Sequence, residues 1–339
     1  MHPARSIRRA AAPAALIGIT LAVSAALAAD APPAQEPLPV ALVHALNKLA
    51  GGPHTGFRAN HAKGVLVTGT FTPSKEAPSF SKAAHFAKSA PVLVRFSDPT
   101  GVPNIPDASK DARPNGMAIR FTLPDGGHTD IVSLASNNGF PVATPEEFLQ
   151  LLTAIGNSGP NAPKPTPVEQ FLGSHPWTAK WVTTPRPPPQ SFATAAFYGI
   201  NAFKFTNAKG VSHYGRYEIL PLAGEHALTD AEVAKAEPNY LMDELPKRIA
   251  AGPVKFKLAV QVAKDGDPTN DPTKVWPADR QVIDLGVITL NATVKDQVKE
   301  QKALLYNPLS LTPGIEASDD PILSARPPAY AISYTQRGS

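Results

Sequence analysis

Cysteine is absent from all 339 residues. That absence excludes disulfides, thiolate nucleophiles, cysteine-built zinc sites, iron–sulfur clusters and any prosthetic group held by a thiolate. Charge of one sign is scarce too: 32 Lys and Arg stand against 28 Asp and Glu, for a net +4. Three of the positive charges, Arg5, Arg8 and Arg9, precede an extended apolar run over residues 10–28. Arginines, an alanine-rich apolar stretch and the ending Ala26-Leu27-Ala28 have the form of a secretory signal peptide. Residues 1–28 are expected to be removed by cleavage after Ala28. Export would follow the general route or, given Arg8-Arg9 behind Ser6, the twin-arginine route. Loss of the three arginines lowers the net charge from +4 to +1. So small a charge implies no nucleic-acid partner, and no stable membrane association is expected after cleavage. The expected location is periplasmic or secreted.

Internal repeats and domain linkers are missing as well, so residues 29–339 are expected to form a single domain. Proline is abundant, with 38 residues, where a share of about 5% is usual; many extended connections and short helices should result. Residues 29–39 read as an extended arm, followed by a short amphipathic helix over 40–49 closed by Gly51-Gly52. Runs of β-branched and aromatic residues predict strands over 65–71, 91–97, 116–123 and 129–136, then over 202–207, 212–222, 254–263 and 282–290. Thr144-Pro145-Glu146-Glu147 starts a helix with a cap, a proline in the first turn and two acids. Residues 157–191, rich in proline and tryptophan, are expected to wrap around the domain rather than fold on their own, with no regular structure in the run Arg186-Pro187-Pro188-Pro189. Helical stretches are expected over 230–251 and 295–306. Eight strands in two groups of four, with helices inserted and flanking, predict an α+β fold built on a closed eight-stranded antiparallel barrel.

The chemistry-bearing residues lie far apart. In the run PGIEASDDPILSARPPAYAISYTQR, Arg326 stands four residues before Tyr330 and Arg337 seven after it. Residues four apart are neighbours on a helix, and a guanidinium beside a phenol favours the phenolate, which can bind ferric iron. Pro327-Pro328 remove two backbone donors between them, so a kink or restart is expected there. Far upstream, FRANHAKG places Arg58 three residues before His61, just ahead of the first strand. Histidine, with an ordinary pKa near 6.5, suits a group that takes up and returns a proton near neutrality. In PVLVRFS, Arg95 and Ser97 are two apart and so share one face of a strand.

Together these segments resemble the catalase family. The PGIE entry, the R-x-x-x-Y pair and the further arginine resemble its proximal segment, and FRANHAKG its distal segment. DARPNGMAIRF resembles its third barrel strand, and DPTKVWP before LGVITLN the turn ahead of its last strand. The resemblance runs from residue 57 to residue 337. It implies a catalase-like barrel holding haem b, with Tyr330 as the iron ligand and Arg326 sustaining the phenolate charge. His61 would be the distal acid–base and Ser97 would accept its hydrogen bond. Arg58, Arg95 and Arg337 would be available to the propionates, and Phe140 and Phe148 would form an aromatic pocket. For the family's catalytic distal asparagine the match is Asn138, with Asn137 as the alternative. An ungapped count from Phe148 falls on Ala135, and Asn-Asn-Gly also reads as a turn.

Full catalases have a longer arm and continue past the tyrosine into further helices, whereas this chain ends two residues after Arg337. It therefore resembles the small exported catalase-related peroxidases, truncated relative to full catalases. That implies reduction of organic hydroperoxides and hydrogen peroxide, with weak catalase activity at most. The implied partners are small-molecule peroxides and an unidentified electron donor, with no nicotinamide nucleotide, in a monomer or small homo-oligomer. Two other classes stay open: an exported haem carrier without turnover, and a hydroperoxide isomerase of the allene oxide synthase kind.

Overall fold

Strands whose residues alternate between apolar and polar can bury one face and leave the other for a second layer. The computed structural model describes residues 36–135 and 138–338, so the expected signal segment and most of the expected arm lie outside the described residues. The strands are β1 (Gly64–Pro73), β2 (Ala90–Ser97), β3 (Gly116–Thr122), β4 (His128–Leu134), β5 (Phe197–Tyr198), β6 (Phe203–Thr206), β7 (Ser212–Pro221), β8 (Val254–Val262), β9 (Val282–Thr293) and β10 (Ile315–Ala317). All pairings are antiparallel, and the ring β1-β2-β3-β4-β5-β7-β8-β9 closes through β9 onto β1.

All eight expected strands form, yet one is not a stave of the barrel. The ring is completed by β5, whose Tyr198 pairs with Leu134 and whose Phe197 pairs with Ile219. Two residues carry no readable periodicity, which is why the sequence did not reveal it. β6 pairs instead with the first residues of β7, and β10 pairs with β6, forming a side extension.

The barrel has two apolar faces. Val65, Val67 and Phe71 of β1, Val92, Val94 and Phe96 of β2, and Met117, Ile119 and Phe121 of β3 belong to one interior core. Its phenylalanines pack ring to ring, Phe71 on Phe121 at 5.4 Å and Phe96 on Phe192 at 5.2 Å between centroids. Each fully buried ring contributes about 1.5–3 kcal/mol. The alternate residues Leu66, Leu93, Ala118 and Val132 belong to a second cluster with Leu304 and Tyr306. Arg95 and Ser97 share the strand face of Leu93, away from the barrel interior.

Among the described residues ten helices accompany the strands: α1 (Leu38–Ala50), α2 (Ala77–Phe80), α3 (Ala84–Ala87), α4 (Pro145–Gly156), α5 (Pro167–Ser174), α6 (Pro176–Thr183), α7 (Asp230–Val233), α8 (Tyr240–Ala251), α9 (Gln297–Ala303) and α10 (Pro321–Gln336). α1 takes in the end of the expected arm and stops at Gly51, whose φ of 68° suits the left-handed cap. α4 begins as expected, with Thr144 Oγ1 accepting from the Glu147 amide at 3.2 Å. Residues 157–191 contain two helices, both ending before the run Arg186-Pro187-Pro188-Pro189, which lies outside the helices and strands. Pro167 and Pro176 sit at the first helical position, where the missing N–H costs nothing, and Thr166 forms a capping box with Glu169. The stretch 230–251 divides into α7 and α8.

α10 does not restart at its prolines. It runs without a break, with Pro327 and Pro328 inside it. Bonds on both sides of the prolines hold it: Asp320 caps its start through the Ile322 amide at 2.8 Å, Ser333 Oγ accepts from the Ala59 amide at 3.0 Å, and Gln336 Oε1 accepts from Asn47 Nδ2 of α1 at 2.8 Å. The described residues form one compact unit, and none of their helices is long and apolar enough to cross a membrane.

One polar ring is sealed into the interior core. His85 of α3 is 1% exposed, lies 4.8 Å from the Phe121 ring and has no partner for Nδ1. Burial pushes its pKa from 6.5 down to about 3. The folded state therefore holds His85 neutral while the unfolded chain takes a proton below about pH 6.5. Stability should be full above that pH and fall at about 1 kcal/mol per unit as pH drops from 6.5 towards 3. Urea denaturation across this range checks it: His85→Leu should flatten the acid slope, and an unchanged slope would show that His85 does not set it.

Candidate functional site

The outward faces of β2, β3 and β4, the loop over residues 57–63, and helices α1, α4 and α10 enclose a cavity with about 1320 Å³ of empty space, its mouth included. His61, Ser97, Arg58, Arg95, Phe140, Phe148, Arg326, Tyr330 and Arg337 all line it. The structure thus gathers on one cavity every expected site residue except Asn138.

On the strand side, His61 Nδ1 lies 3.0 Å from Ser97 Oγ. His61 has φ of 56°, a left-handed conformation that costs a non-glycine residue about 1 kcal/mol or more. Hydrogen bonds to the end of β2 hold it there: Asn60 Oδ1 accepts from the Thr100 amide at 2.6 Å, the Ala62 amide donates to Thr100 O at 3.0 Å, and the Asp98 amide donates to Lys63 O at 3.2 Å. Burial, then the charges of Arg95, Arg326 and Arg58, push the His61 pKa from 6.5 down to about 3. A neutral imidazole is therefore favoured.

Three guanidinium groups line one region of the cavity. Arg58 Nη2 and Arg337 Nη1 both donate to Leu304 O, at 2.8 and 2.9 Å, while Arg95 donates to Ala62 O at 3.0 Å and to Gln301 Oε1 at 2.7 Å. None of the three has an ion-pair partner among the described residues, and Arg337 Nε is buried without any acceptor. Burial above all pushes the pKa of each down, with repulsion from a neighbouring arginine adding to it at Arg58 and Arg95.

On the helix side, Arg326 Nε donates to Tyr330 Oη at 3.0 Å. The same guanidinium donates through Nη1 to Asn201 Oδ1 at 2.6 Å, and Asn201 Nδ2 donates to Asp320 Oδ2 at 2.7 Å. This chain of carboxylate, amide, guanidinium and phenol includes Asn201, which the sequence reading missed. Asn201 lies 119 residues from Asp320, and no local pattern signals such a contact.

The aromatic wall is held from outside. Phe140 and Phe148 pack at 5.2 Å, and the indole N–H groups of Trp177 and Trp181 donate to Phe140 O and Gly139 O at 2.7 and 2.9 Å. Asn138 requires correction as the distal amide. It does not line the cavity, and its Nδ2 donates to Gln261 Oε1 at 3.3 Å. With φ of 52° it occupies the turn conformation that Asn-Asn-Gly favours. Asn137 lies outside the described residues. Val132 and Leu134 are the β4 residues whose outward side chains meet the cavity.

The donor set fits an anionic group that brings its own metal. Among the described residues no cluster of three His, Asp or Glu could hold a free ion, while one phenol and three uncompensated guanidinium groups face one space. A haem would supply iron for Tyr330 and two carboxylates for the arginines.

The catalase family model matches residues 54–338. Catalase-related peroxidases of Mycolicibacterium paratuberculosis and Synechococcus elongatus are each 35% identical to the chain over 291 residues. These alignments cover 85% of this chain and 91% of the first relative, and 84% and 85% for the second. A crystal structure of a fungal catalase superposes with a TM-score of 0.74 at 24% identity, covering 84% of this chain and 60% of that one. The fungal catalase therefore shares the fold, and the chain spans about three-fifths of its length.

Gly116 of β3 also escaped the sequence reading as a site residue. A Cβ at this position would lie 2.9 Å from His61 Cε1 and Nδ1 and from Ser97 Oγ. Only glycine leaves room for the imidazole. Gly116→Ala is expected to destabilise the fold by about 1–3 kcal/mol through overpacking and to shift the His61 ring resonances in NMR spectra. Unchanged resonances and stability would show that the ring can move aside freely.

Proposed function

Because this chain belongs to the catalase family and is an oxidoreductase acting on peroxide, we propose that it is a haem-dependent peroxidase preferring organic hydroperoxides over hydrogen peroxide. The observation that carries the reading is the convergence of two constellations on one cavity, the His61–Ser97 pair and the Arg326–Tyr330 pair. They are close enough for the Arg326 charge to act on His61. A haem carrier needs the second pair and has no use for the first.

Tyr330 would hold the iron, with Arg326 stabilising charge on the phenol oxygen. Arg58, Arg95 and Arg337 would take the propionates, relieving the repulsion among them. Haem, when bound, supplies the electrons that reduce the O–O bond, and a small-molecule donor replaces them. His61 manages the proton. With Nδ1–H donating to Ser97 Oγ, Nε2 is left to accept the hydroperoxide proton and return it to the leaving oxygen. Leu42, Val43 and Leu46 of α1, together with Phe140 and Phe148, give the cavity an apolar wall that suits an alkyl group. The form of residues 1–28 supports export.

Tyr330→Phe should lose most of its haem, read as the ratio of haem absorbance to protein. His61→Ala should keep the haem and lower peroxide consumption about 10²–10⁴-fold. If His61→Ala consumes cumene hydroperoxide as fast as the wild type, the protein is a carrier and the peroxidase reading fails. The pH profile gives an independent check. Burial is the largest cause of the low His61 pKa and persists when the arginines are compensated. The base form therefore survives well below 6.5, and the rate should show no acid limb near that value.

A further inference from the structure

Directly behind the distal pair lies a buried group of charges that the proton chemistry above does not use. Lys63 Nζ donates to Ile105 O at 2.7 Å, to Pro238 O at 2.9 Å and to Asp107 Oδ1. Asp107 Oδ2 accepts from the amides of Leu241 and Met242, at 2.7 and 3.4 Å, in the first turn of α8. Both oxygens of Asp107 thus have donors, as an ionised carboxylate requires. Asp98 differs. It is 0% exposed, its Oδ1 accepts from Asn115 Nδ2 at 2.8 Å, and its Oδ2 has no donor. The neighbour within hydrogen-bonding reach of Asp98 is the Asp107 carboxyl.

Two acceptor oxygens side by side in a site closed off from bulk solvent are tolerable only when one carries a proton. We propose that Asp98 is a buried, protonated carboxylic acid that donates to Asp107 and thereby positions His61. With that proton the group of two carboxyls and one ammonium is neutral; without it, a net negative charge is sealed in the core. Burial first, then the Asp107 charge, raise the Asp98 pKa, while Lys63 and Asn115 pull the other way and do not prevail. The charged and titratable groups facing Asp98 are Lys63 and His61 from the distal loop, Arg95 from β2, Asp107, and Tyr240 from α8. Arg113 acts on Tyr240 in turn.

The link to His61 runs through the backbone of Asp98 itself. Its amide donates to Lys63 O at 3.2 Å, its carbonyl lies within reach of the His61 ring, and the preceding residue is Ser97. Asp98, whose side chain is locked to Asp107, therefore holds the distal loop at Lys63 through its amide and reaches the His61 ring through its carbonyl. Loss of the proton turns that lock into repulsion and loosens the Ser97–His61 contact. The side chain of Asp98 touches no substrate, so its part is positioning.

The shared proton can be read directly. Infrared spectra of the purified protein should show a carbonyl stretch of a protonated carboxyl at neutral pH that fades on alkalinisation, and Asp98→Asn should lack that band. Asp98→Asn keeps a donor towards Asp107 and has no proton to lose. Because a raised folded pKa makes an acid lose stability as pH climbs above its unfolded value of about 3.9, the variant should melt higher than the wild type, by a gap widening from about pH 5 to about pH 8. With cumene hydroperoxide, the alkaline limb of kcat should move to higher pH in Asp98→Asn. Asp98→Leu, similar in size and without a donor, should lower kcat about tenfold with KM little moved. Absence of a band removed by Asp98→Asn overturns the proposal, and so does an alkaline limb identical in that variant and the wild type. The catalytic meaning rests on the peroxidase reading, whereas the infrared and melting measurements need no turnover. A protein that shows the band and consumes no peroxide keeps its buried acid and loses the peroxidase reading.

Discussion

The site is organised by positive charge buried without a counter-charge from the chain. Arg58, Arg95 and Arg337 line the cavity, donate to backbone carbonyls and a glutamine, and meet no carboxylate among the described residues. Burial of an unpaired charge costs several kcal/mol, and repulsion between neighbouring guanidinium groups adds to that. A fold that keeps such a cluster is incomplete until an anion enters. The same charges reach His61 and help hold it neutral, so the force that selects the bound group also sets the protonation state of the proposed base.

The barrel makes this arrangement affordable by separating two tasks onto two faces of the same strands. Phenylalanine packing on the interior face supplies stability that the site does not disturb. The outer faces of β2, β3 and β4 are then free to carry Arg95, Ser97 and the gap at Gly116. Strands position side chains more rigidly than loops, and the one loop residue that matters, His61, is tied to the end of β2 through Thr100 and Asp98. Helix α10 completes the enclosure. Its Ser333 holds the distal loop through Ala59, so the phenol and the imidazole belong to one hydrogen-bonded frame although they lie 269 residues apart in sequence.

Much of this was legible from residue patterns. Alternation in residues 65–71, 91–97 and 116–123 marks strands because one face of each must be apolar, and the spacing of Arg95 and Ser97 puts both on the other face. What escaped notice lacked a local signal. β5 is too short for any period, and Asn201 acts through partners far away in sequence. The cost of proline depends on its position. At the first residue of α5 and α6 it is harmless, and inside α10 it is outweighed by bonds at both ends of the helix. Asn138 was misassigned because amide chemistry alone does not distinguish a turn from a ligand contact.

The two sides of the cavity solve opposite electrostatic problems. At Arg326 a direct ion pair with Asp320 would neutralise the guanidinium before it could act on the phenol oxygen. An interposed amide, Asn201, satisfies a donor of the arginine and an acceptor of the carboxylate while keeping the two charges apart. Burial raises the Asp320 pKa, against hydrogen bonds from Asn201 and from the amides of Ile322 and Leu323. Positive charge is thereby left where Tyr330 can use it. Behind His61 the problem is excess negative charge, which Lys63 only half cancels and a single shared proton completes. Charge is conserved for use on one side and silenced on the other, and in both places the residue that decides the outcome, Asn201 or Asp98, contacts the working side chain only through a neighbour or through its own backbone.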